Sequence, residues 1–219
     1  MAAPADVTIK NLSGEWEMDA TLSNPTDPIL ALQGMSWLLR KTLSYATVTL
    51  YVHSYPDSDT PTTYHIDIQQ VITGGIQGTK ESRTLDWTER DHTDNIFGTL
   101  HGRSRLLDGK SEDGALRPAL EVQTSVGEAE ADAKVGKFLR GEILIDGSKS
   151  EGFSGEDGEG VFMQSFVRND SAGWTAEQVW GFEIVGGERR HARRVVVTKD
   201  GKVEMARLVY SFKARRVEE

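Results

Sequence analysis

The sequence predicts an all-β protein, an antiparallel up-and-down β-barrel with a short helix-turn-helix after its first strand. Three observations support this fold class. Short segments in which apolar and polar residues alternate recur along the chain. Tight-turn signals separate them, such as Asp200-Gly201 before the last segment. One stretch near the N-terminus instead has its apolar residues at helical spacing. Regularly spaced strands with tight turns are typical of sandwiches and barrels.

The elements follow in a simple order. The first strand carries Leu12, Gly14, Trp16 and Met18 on one face. Ser23 or Asn24 can then cap a helix, and residues 35–43 form a second short amphipathic helix. A glycine-rich turn is predicted at 74–78. The remaining strands are predicted at 47–55, 64–69, 83–87, 95–106, 161–168, 175–185, 189–198 and 202–213.

Composition limits the cellular compartment and the binding partners that we expect for the protein. At 219 residues, 37 % of them apolar, the chain fits one domain spanning 1–219. It has no cysteine, which favours a reducing compartment. The N-terminus has no apolar core of a signal peptide, and no apolar run is long enough to insert into a membrane. The net charge of −9 argues against nucleic acid. We therefore expect a cytoplasmic protein.

One segment differs from the rest in charge. Residues 108–160 hold 13 acidic and 6 basic side chains, so they carry −7 of the total charge of −9, and they contain 10 of the 22 glycines. This composition predicts an acidic, glycine-rich insertion that is partly disordered and solvated by its own charge. Within it, residues 129–145 could form a short helix or an additional hairpin.

The first strand and the helices together resemble a known family. Gly14-Glu15-Trp16 matches the Gly-x-Trp of the calycin superfamily, which includes lipocalin-like and fatty-acid-binding-protein-like β-barrels. A helix pair directly after that strand is similar to the fatty-acid-binding side, and residues 31–41 resemble its helical lid. The resemblance covers residues 10–106 and 160–213. It implies a barrel whose interior is a ligand cavity, closed by the helices at one end and plugged by Trp16 at the other.

The last strand departs from that family. Fatty-acid-binding proteins hold a carboxylate with an Arg and a Tyr two residues apart on this strand. Here Arg207 and Tyr210 are three apart, which places them on opposite faces of a regular strand. If Tyr210 faces the cavity, Leu208 occupies the position of the arginine. The resemblance therefore implies a cavity, but its ligand need not be a fatty acid.

Two strands offer polar candidates. On strand 189–198 one inward arginine is plausible, Arg190 or Arg194, because Ala192 and Val196 share that face. On strand 95–106 both faces have a claim to the interior. One face carries His101 and Arg103, a candidate acid/base and a cationic anchor; the other carries apolar residues and glycines, and we favour it for the core.

A larger set is predicted to line the cavity. Its members are aromatic, aliphatic or cationic residues on predicted inward faces or on the helical lid. The predicted ligand-binding residues are Trp37, Tyr64, Ile66, Ile68, Arg83, Trp87, Arg103, Trp180, Phe182, Arg194, Leu208 and Phe212. If the protein is an enzyme, the candidate catalytic residues are His101, Tyr210 and Gln178.

These patterns lead to one main hypothesis and two alternatives. The main hypothesis is a protein that binds a small hydrophobic or amphipathic metabolite in its cavity, with no cofactor and no metal site. The first alternative is a cofactor-independent isomerase or cyclase of the pericyclase type, which uses the same cavity in secondary metabolism and needs no sequence motif. The second is haem binding, which needs an inward histidine as axial ligand.

Overall fold

The computed structural model describes residues 1–74 and 78–215. In chain order the elements are β1 (Gly14–Met18), α1 (Asp27–Leu32), α2 (Trp37–Leu43), β2 (Val48–Pro56), β3 (Tyr64–Ile72), β4 (Lys80–Thr84), β5 (Arg90–Asp94), β6 (Gly98–Glu112), β7 (Ala115–Pro118), α3 (Ala129–Leu139), β8 (Gly158–Asn169), β9 (Trp174–Val185), β10 (Glu188–Lys199) and β11 (Lys202–Ala214). The turn predicted at 74–78 falls mostly on residues 75–77, outside the described ranges.

The strands form one antiparallel sheet that curls into a barrel. Their order is β4-β3-β2-β1-β11-β10-β9-β8-β6-β5, and β7 pairs with β6. The curl brings the end of β4 to β6, where Asp86 bridges Arg105 and the Trp87 amide donates to the Ser104 carbonyl at 2.8 Å. The predicted all-β barrel is confirmed.

The predicted helix pair after β1 is also confirmed, although its capping differs. Ser36 caps α2 through its side-chain oxygen. Ser23 and Asn24 cap no helix; they accept hydrogen bonds from the backbone N–H groups of Val209 and Arg207, each at 2.8 Å. These bonds tie the start of the helical segment to β11. No described helix is long and apolar enough to cross a membrane.

The last hairpin turns as its sequence predicts. Asp200 and Gly201 have φ angles of 51° and 72°, the left-handed conformation that a two-residue turn of this type requires at both positions. The register of β10 against β11 then runs unbroken from Lys199 opposite Lys202 to His191 opposite Tyr210. This register decides which side chains enter the barrel.

Residues 108–160 pack against the barrel, which corrects the expectation of a partly disordered insertion. The segment extends β6, adds β7 and forms α3, the helix considered for residues 129–145. Phe138 and Leu139 of α3 are buried in an apolar cluster with Val179 and Val196, which point outward from the sheet. Burial of this apolar area outweighs the segment's charge, most of which lies on exposed residues.

The closed end of the barrel is filled by aromatic side chains. Trp16 is fully buried, and its indole N–H donates to the Leu12 carbonyl at 3.0 Å. Its ring meets those of Phe182, His191 and Phe212, with centroids 5.0–6.4 Å apart. Trp16 therefore plugs this end, as the resemblance implied, and the open space lies nearer the helices.

Candidate ligand-binding site

A cavity of about 270 Å³ lies inside the barrel beneath α1 and α2. Ile29, Met35 and Leu39 of the helical segment form its roof, and Val195 and Val197 of β10 form part of its wall. A roofed cavity with mostly apolar walls is typical of small-molecule sites.

Polar groups meet at one end of this cavity. Among the described lining residues the charged ones are Glu81, Arg83 and Arg193, and Gln178 and Tyr210 lie with them. Two guanidinium groups and one carboxylate leave this end with one net positive charge. Such an end attracts a carboxylate, an enolate or the oxygen of a polarised carbonyl.

Arg193 lies between two aromatic rings. Its guanidinium carbon is 3.6 Å from the centre of the Trp180 ring and 4.9 Å from that of Tyr210. The indole N–H of Trp180 in turn donates to the Gln178 side-chain oxygen at 2.9 Å. This stacking fixes the plane of the guanidinium group before any ligand arrives.

Arg83 enters from the opposite wall, on β4. It donates one hydrogen bond to Glu81 and another to Ser165, both at 2.6 Å. Its guanidinium carbon also lies 5.5 Å from the Trp180 ring centre. The Glu81 carboxylate is thus held by Arg83, while Arg193 has no carboxylate in direct contact among the described residues.

Three lining residues carry buried donors without an acceptor. Within the described part of the chain, Arg83 Nε, Arg193 Nη2 and the Trp174 indole nitrogen have no hydrogen-bond partner. Trp174 belongs to the apolar cluster under α1, so its donor lies on a different part of the cavity wall from those of the two arginines. A buried donor left unpaired costs about 1–3 kcal/mol, and an oxygen of a bound ligand would remove that cost.

His191 positions Arg193 through a hydrogen bond between their side chains on β10. Its Nδ1 lies 3.2 Å from the Gly181 carbonyl, which can only accept, so Nδ1 carries the proton. The other nitrogen, Nε2, is therefore free to accept from Arg193 Nε at 3.3 Å. Because this nitrogen is engaged and His191 is fully buried, it does not offer the axial ligand that haem would need.

The pKa values at the polar end follow from burial and from the arginines. Burial opposes ionisation of Glu81, but Arg83 and Arg193 outweigh it and lower the pKa of Glu81, so it remains a carboxylate. Burial raises the pKa of Tyr210, so its hydroxyl stays protonated and able to donate. Burial also lowers the pKa of Arg193, but a guanidinium group stays charged at neutral pH.

His191 leads to a testable prediction about pH. Burial, together with the charges of Arg193 and Arg189, lowers the pKa of His191 well below 6.5. The unfolded chain therefore takes up a proton at about pH 6.5 that the folded protein refuses, so acid favours unfolding. Below about pH 6.5, this group lowers the free energy of unfolding by up to about 1.4 kcal/mol per unit fall in pH.

Urea unfolding at several pH values measures this dependence. His191→Gln cannot titrate, so the slope of its unfolding free energy against pH is expected to be smaller than that of the wild type. His92→Gln, at an exposed position on β5, serves as the matched control and is expected to keep the wild-type slope. Equal slopes in the wild type and His191→Gln would contradict the assignment.

The strand register explains why an arginine still lies near Tyr210, although Leu208 occupies the position expected for one on β11. Arg193 on β10 lies directly opposite Leu208 on β11. Cross-strand partners point to the same face of a sheet, so the arginine expected near Tyr210 comes from the neighbouring strand. Arg207 faces outward and donates to Glu183 at 3.2 Å.

The predicted site residues fall into three groups. Arg83, Gln178, Leu208 and Tyr210 line the cavity. A second group belongs to the aromatic and aliphatic core toward the closed end and lies beside or below the open space: Tyr64, Ile66, Ile68, Trp180, Phe182 and Phe212. The third group lies outside the barrel.

Four members of the third group come from β6, its flanking loop and the lid. Leu100 points into the cavity, so the apolar face of β6 is the inner one, as favoured. His101 consequently faces outward and lies 2.6 Å from Asp91. Arg103 and Trp87 stack on each other outside the barrel, 4.4 Å from guanidinium carbon to ring centre. Trp37 is 67 % exposed on α2.

Arg194 is the fifth and needs a correction. It is fully buried, but on the outer face of the sheet, where it donates to Glu183 at 2.7 Å and to the Ile143 carbonyl at 2.7 Å. Residues 108–160 cover that face, so an inward orientation is not required to bury it. Arg190, the other candidate, also lies outside the cavity, paired with Glu188.

Sequence reasoning missed much of the cavity lining, including the four residues on which the polar chemistry depends. These are Glu81, Trp174, His191 and Arg193. The register of the Asp200-Gly201 hairpin carries a usable signal, because it pairs Arg193 with Leu208 and His191 with Tyr210. Once Tyr210 is placed inside, both partners must follow. No comparable signal marks Glu81 or Trp174.

The fold and the cavity define a β-barrel with an internal binding cavity, and comparisons with known proteins refine this description. The chain shares the barrel fold of lipid binding protein 8 of Caenorhabditis elegans, which superposes with a TM-score of 0.54 at 13 % identity, covering 95 % of this chain and all of the other. No protein-family model matches the sequence. At the sequence level it is similar to two proteins described as pericyclases.

Both similarities extend over nearly the whole chain. The probable pericyclase scpY of Mollisia scopiformis is 29 % identical over 211 residues, 96 % of this chain and 94 % of that protein. The pericyclase pydY of an Acremonium species is 27 % identical over 212 residues, 97 % of each chain. The alignments therefore include residues 108–160.

Proposed function

We propose that the cavity binds one small, largely apolar organic molecule with an oxygen against Arg193 and Tyr210, and that the protein catalyses a pericyclic reaction of that molecule. The observation that carries this proposal is the unpaired, buried N–H of Arg193 at the polar end of an otherwise apolar cavity. The whole-length similarity to two pericyclases supports the catalytic part.

The chemistry needs only what the cavity contains. A pericyclic reaction reorganises bonds through one cyclic transition state, and no atom enters or leaves. The apolar walls and helical roof would hold a flexible chain folded, which removes much of the entropic cost of bringing its reacting carbons together. Arg193 and the protonated Tyr210 would donate to a carbonyl conjugated with the reacting alkene and stabilise the charge that develops there.

A linear trienone tests both parts of the proposal. In this probe a conjugated diene and an enone are joined by a three-carbon tether, so it cyclises slowly without a catalyst. We expect the protein to accelerate cyclisation and to give the two product enantiomers in unequal amounts, measured by chiral gas chromatography. Anilinonaphthalene sulfonate, an apolar fluorophore with one anionic group, is expected to occupy the same cavity and suppress the reaction.

The outcomes separate a catalyst from a carrier. If the fluorophore binds in the cavity but the product is racemic and forms at the uncatalysed rate, the protein does not catalyse this class of reaction. Ligand binding would then remain as its function. Failure of the protein to bind either compound would overturn the binding proposal as well.

A further inference from the structure

A second cavity opens beside the first, where the barrel is incompletely paired. Among the described strands β4 hydrogen-bonds only to β3, and it reaches β6 only at the bridge between Asp86 and Arg105. The gap forms a cavity of about 360 Å³, which we call the seam pocket. Its lining residues are Glu81, Ser82, Arg83, Thr84, Thr88, Arg90, Asp91, His92, Leu100, Gly102, Arg103, Ser104 and Val167.

The seam pocket is continuous with the central cavity. Glu81, Arg83, Leu100 and Val167 line both. Gly102 stands at the seam without a side chain, and Ser104 lies 3.5 Å from Arg83 through its hydroxyl group. A molecule in the central cavity can therefore extend past Arg83 toward the outside of the barrel.

Most charges in the seam pocket are already matched. Arg83 is bonded to Glu81, and Arg90 makes two bonds of 2.7 Å to Asp86. Asp91 contacts His101 at 2.6 Å.

Arg103 is the exception. No described carboxylate forms an ion pair with it; its Nη2 donates to the Gln123 side-chain oxygen at 2.6 Å, and its buried Nε has no acceptor. Its guanidinium group is stacked on Trp87, 4.4 Å from the ring centre. It is thus a positioned cation with unused capacity to bind an anion.

We propose that the seam pocket binds an acidic group at the far end of the same ligand. Because this inference rests on the proposed function, it defines the substrate class: an elongated molecule with an apolar middle, one oxygen function at Arg193 and a carboxylate or equally acidic group near Arg103. The roofed cavity encloses the apolar part, and the open seam leaves the acidic end partly hydrated.

A matched pair of probes tests this assignment. Dodecanoate and dodecanedioate have the same chain length and differ in the second carboxylate. In calorimetric titrations the wild type is expected to bind dodecanedioate more tightly by about threefold or more, the gain expected of one partly hydrated ion pair. Arg103→Gln is expected to remove this preference without changing the affinity for dodecanoate.

Two further variants make the test specific. Arg105→Gln is the matched control, because Arg105 lies on the same face of β6 and stacks on the same Trp87, at 4.2 Å, but does not line the seam pocket. It is expected to keep the preference. Gly102→Leu is expected to remove it by filling the pocket; a Cβ there would meet Val167 at 3.4 Å, an ordinary contact.

The binding results separate failure of the seam assignment from failure of the central cavity as a ligand site. Equal affinity of the wild type for the two acids, or a preference that persists in both Arg103→Gln and Gly102→Leu, would overturn the seam assignment while leaving the proposed function intact. Binding of neither acid to the wild type would instead count against the central cavity as a ligand site, and the seam assignment would fall with it.

Discussion

Arg193→Met is expected to weaken the binding of anilinonaphthalene sulfonate by about tenfold to a hundredfold, the value of one or two charge-assisted hydrogen bonds in an enclosed site. The substitution removes the cation that stacks between Trp180 and Tyr210. It lowers the net charge of the polar end from +1 to 0, because Glu81 and Arg83 cancel and burial keeps Tyr210 neutral. Fluorescence titration measures the dissociation constant directly.

The same variant is expected to be at least as stable as the wild type. Arg193 is buried, its Nη2 has no partner among the described residues, and no described carboxylate contacts it. A buried cation with incomplete hydrogen bonding costs free energy, whereas a methionine of similar length packs well between aromatic rings. A residue whose removal lowers affinity but not stability is one that the fold retains for its ligand.

Arg190→Met is the matched control for both measurements. Arg190 lies on the same strand but outside the cavity, where it pairs with Glu188. Its substitution is expected to leave the affinity for the fluorophore within about twofold, since charges beyond a Debye length are screened by salt. If Arg193→Met bound the fluorophore as tightly as Arg190→Met, Arg193 would not be the anchor.

The β-barrel and its lid could be predicted because they rest on local signals. Alternation, the Gly14-Glu15-Trp16 motif and the Asp200-Gly201 turn each act over a few residues. The inner face of β6 was favoured correctly but not decided, because both faces had a claim to the interior and the glycines at 98 and 102 leave the face of Leu100 thinly populated. Such signals determine where strands begin and which way most of them face.

Local signals did not predict which side chains of β10 face the cavity. In Glu188–Lys199 the residues from His191 to Thr198 are all buried, because the cavity side chains cover one face and residues 108–160 cover the other. A strand buried on both faces loses its alternation. Arg193 and Arg194 are neighbours in the sequence, so nothing local distinguishes the ligand anchor from the outer ion pair.

The packing of residues 108–160 against the barrel was not predicted, for a related reason. Their net charge predicts a solvated segment, but α3 places Val135, Phe138 and Leu139 on one side and leaves its charges on the other. Net charge does not reveal such a division, whereas the spacing of those three residues does.

Glu183→Gln is expected to lower the free energy of unfolding by about 3–5 kcal/mol, the cost of leaving a buried charge without its partner. Glu183 is 1 % exposed and accepts from Arg194 at 2.7 Å and from Arg207 at 3.2 Å. Arg194, which is fully buried, also donates to the Phe138 carbonyl and to Ser150. Loss of the carboxylate therefore weakens the attachment of residues 108–160 to the outer face of the barrel.

Urea unfolding measures this effect, and Glu17→Gln provides its control. Glu17 pairs with Lys213 at 3.2 Å, but both side chains are more than one third exposed, so its loss is expected to change stability by less than about 1 kcal/mol. The double variant Glu183→Leu with Arg194→Met is expected to be more stable than Glu183→Gln, because it leaves no fully buried charge unpaired; Arg207, which also loses its partner, is 20 % exposed. A double variant less stable than Glu183→Gln would contradict this account and would mean that packing of α3, rather than the ion pair, holds residues 108–160 in place.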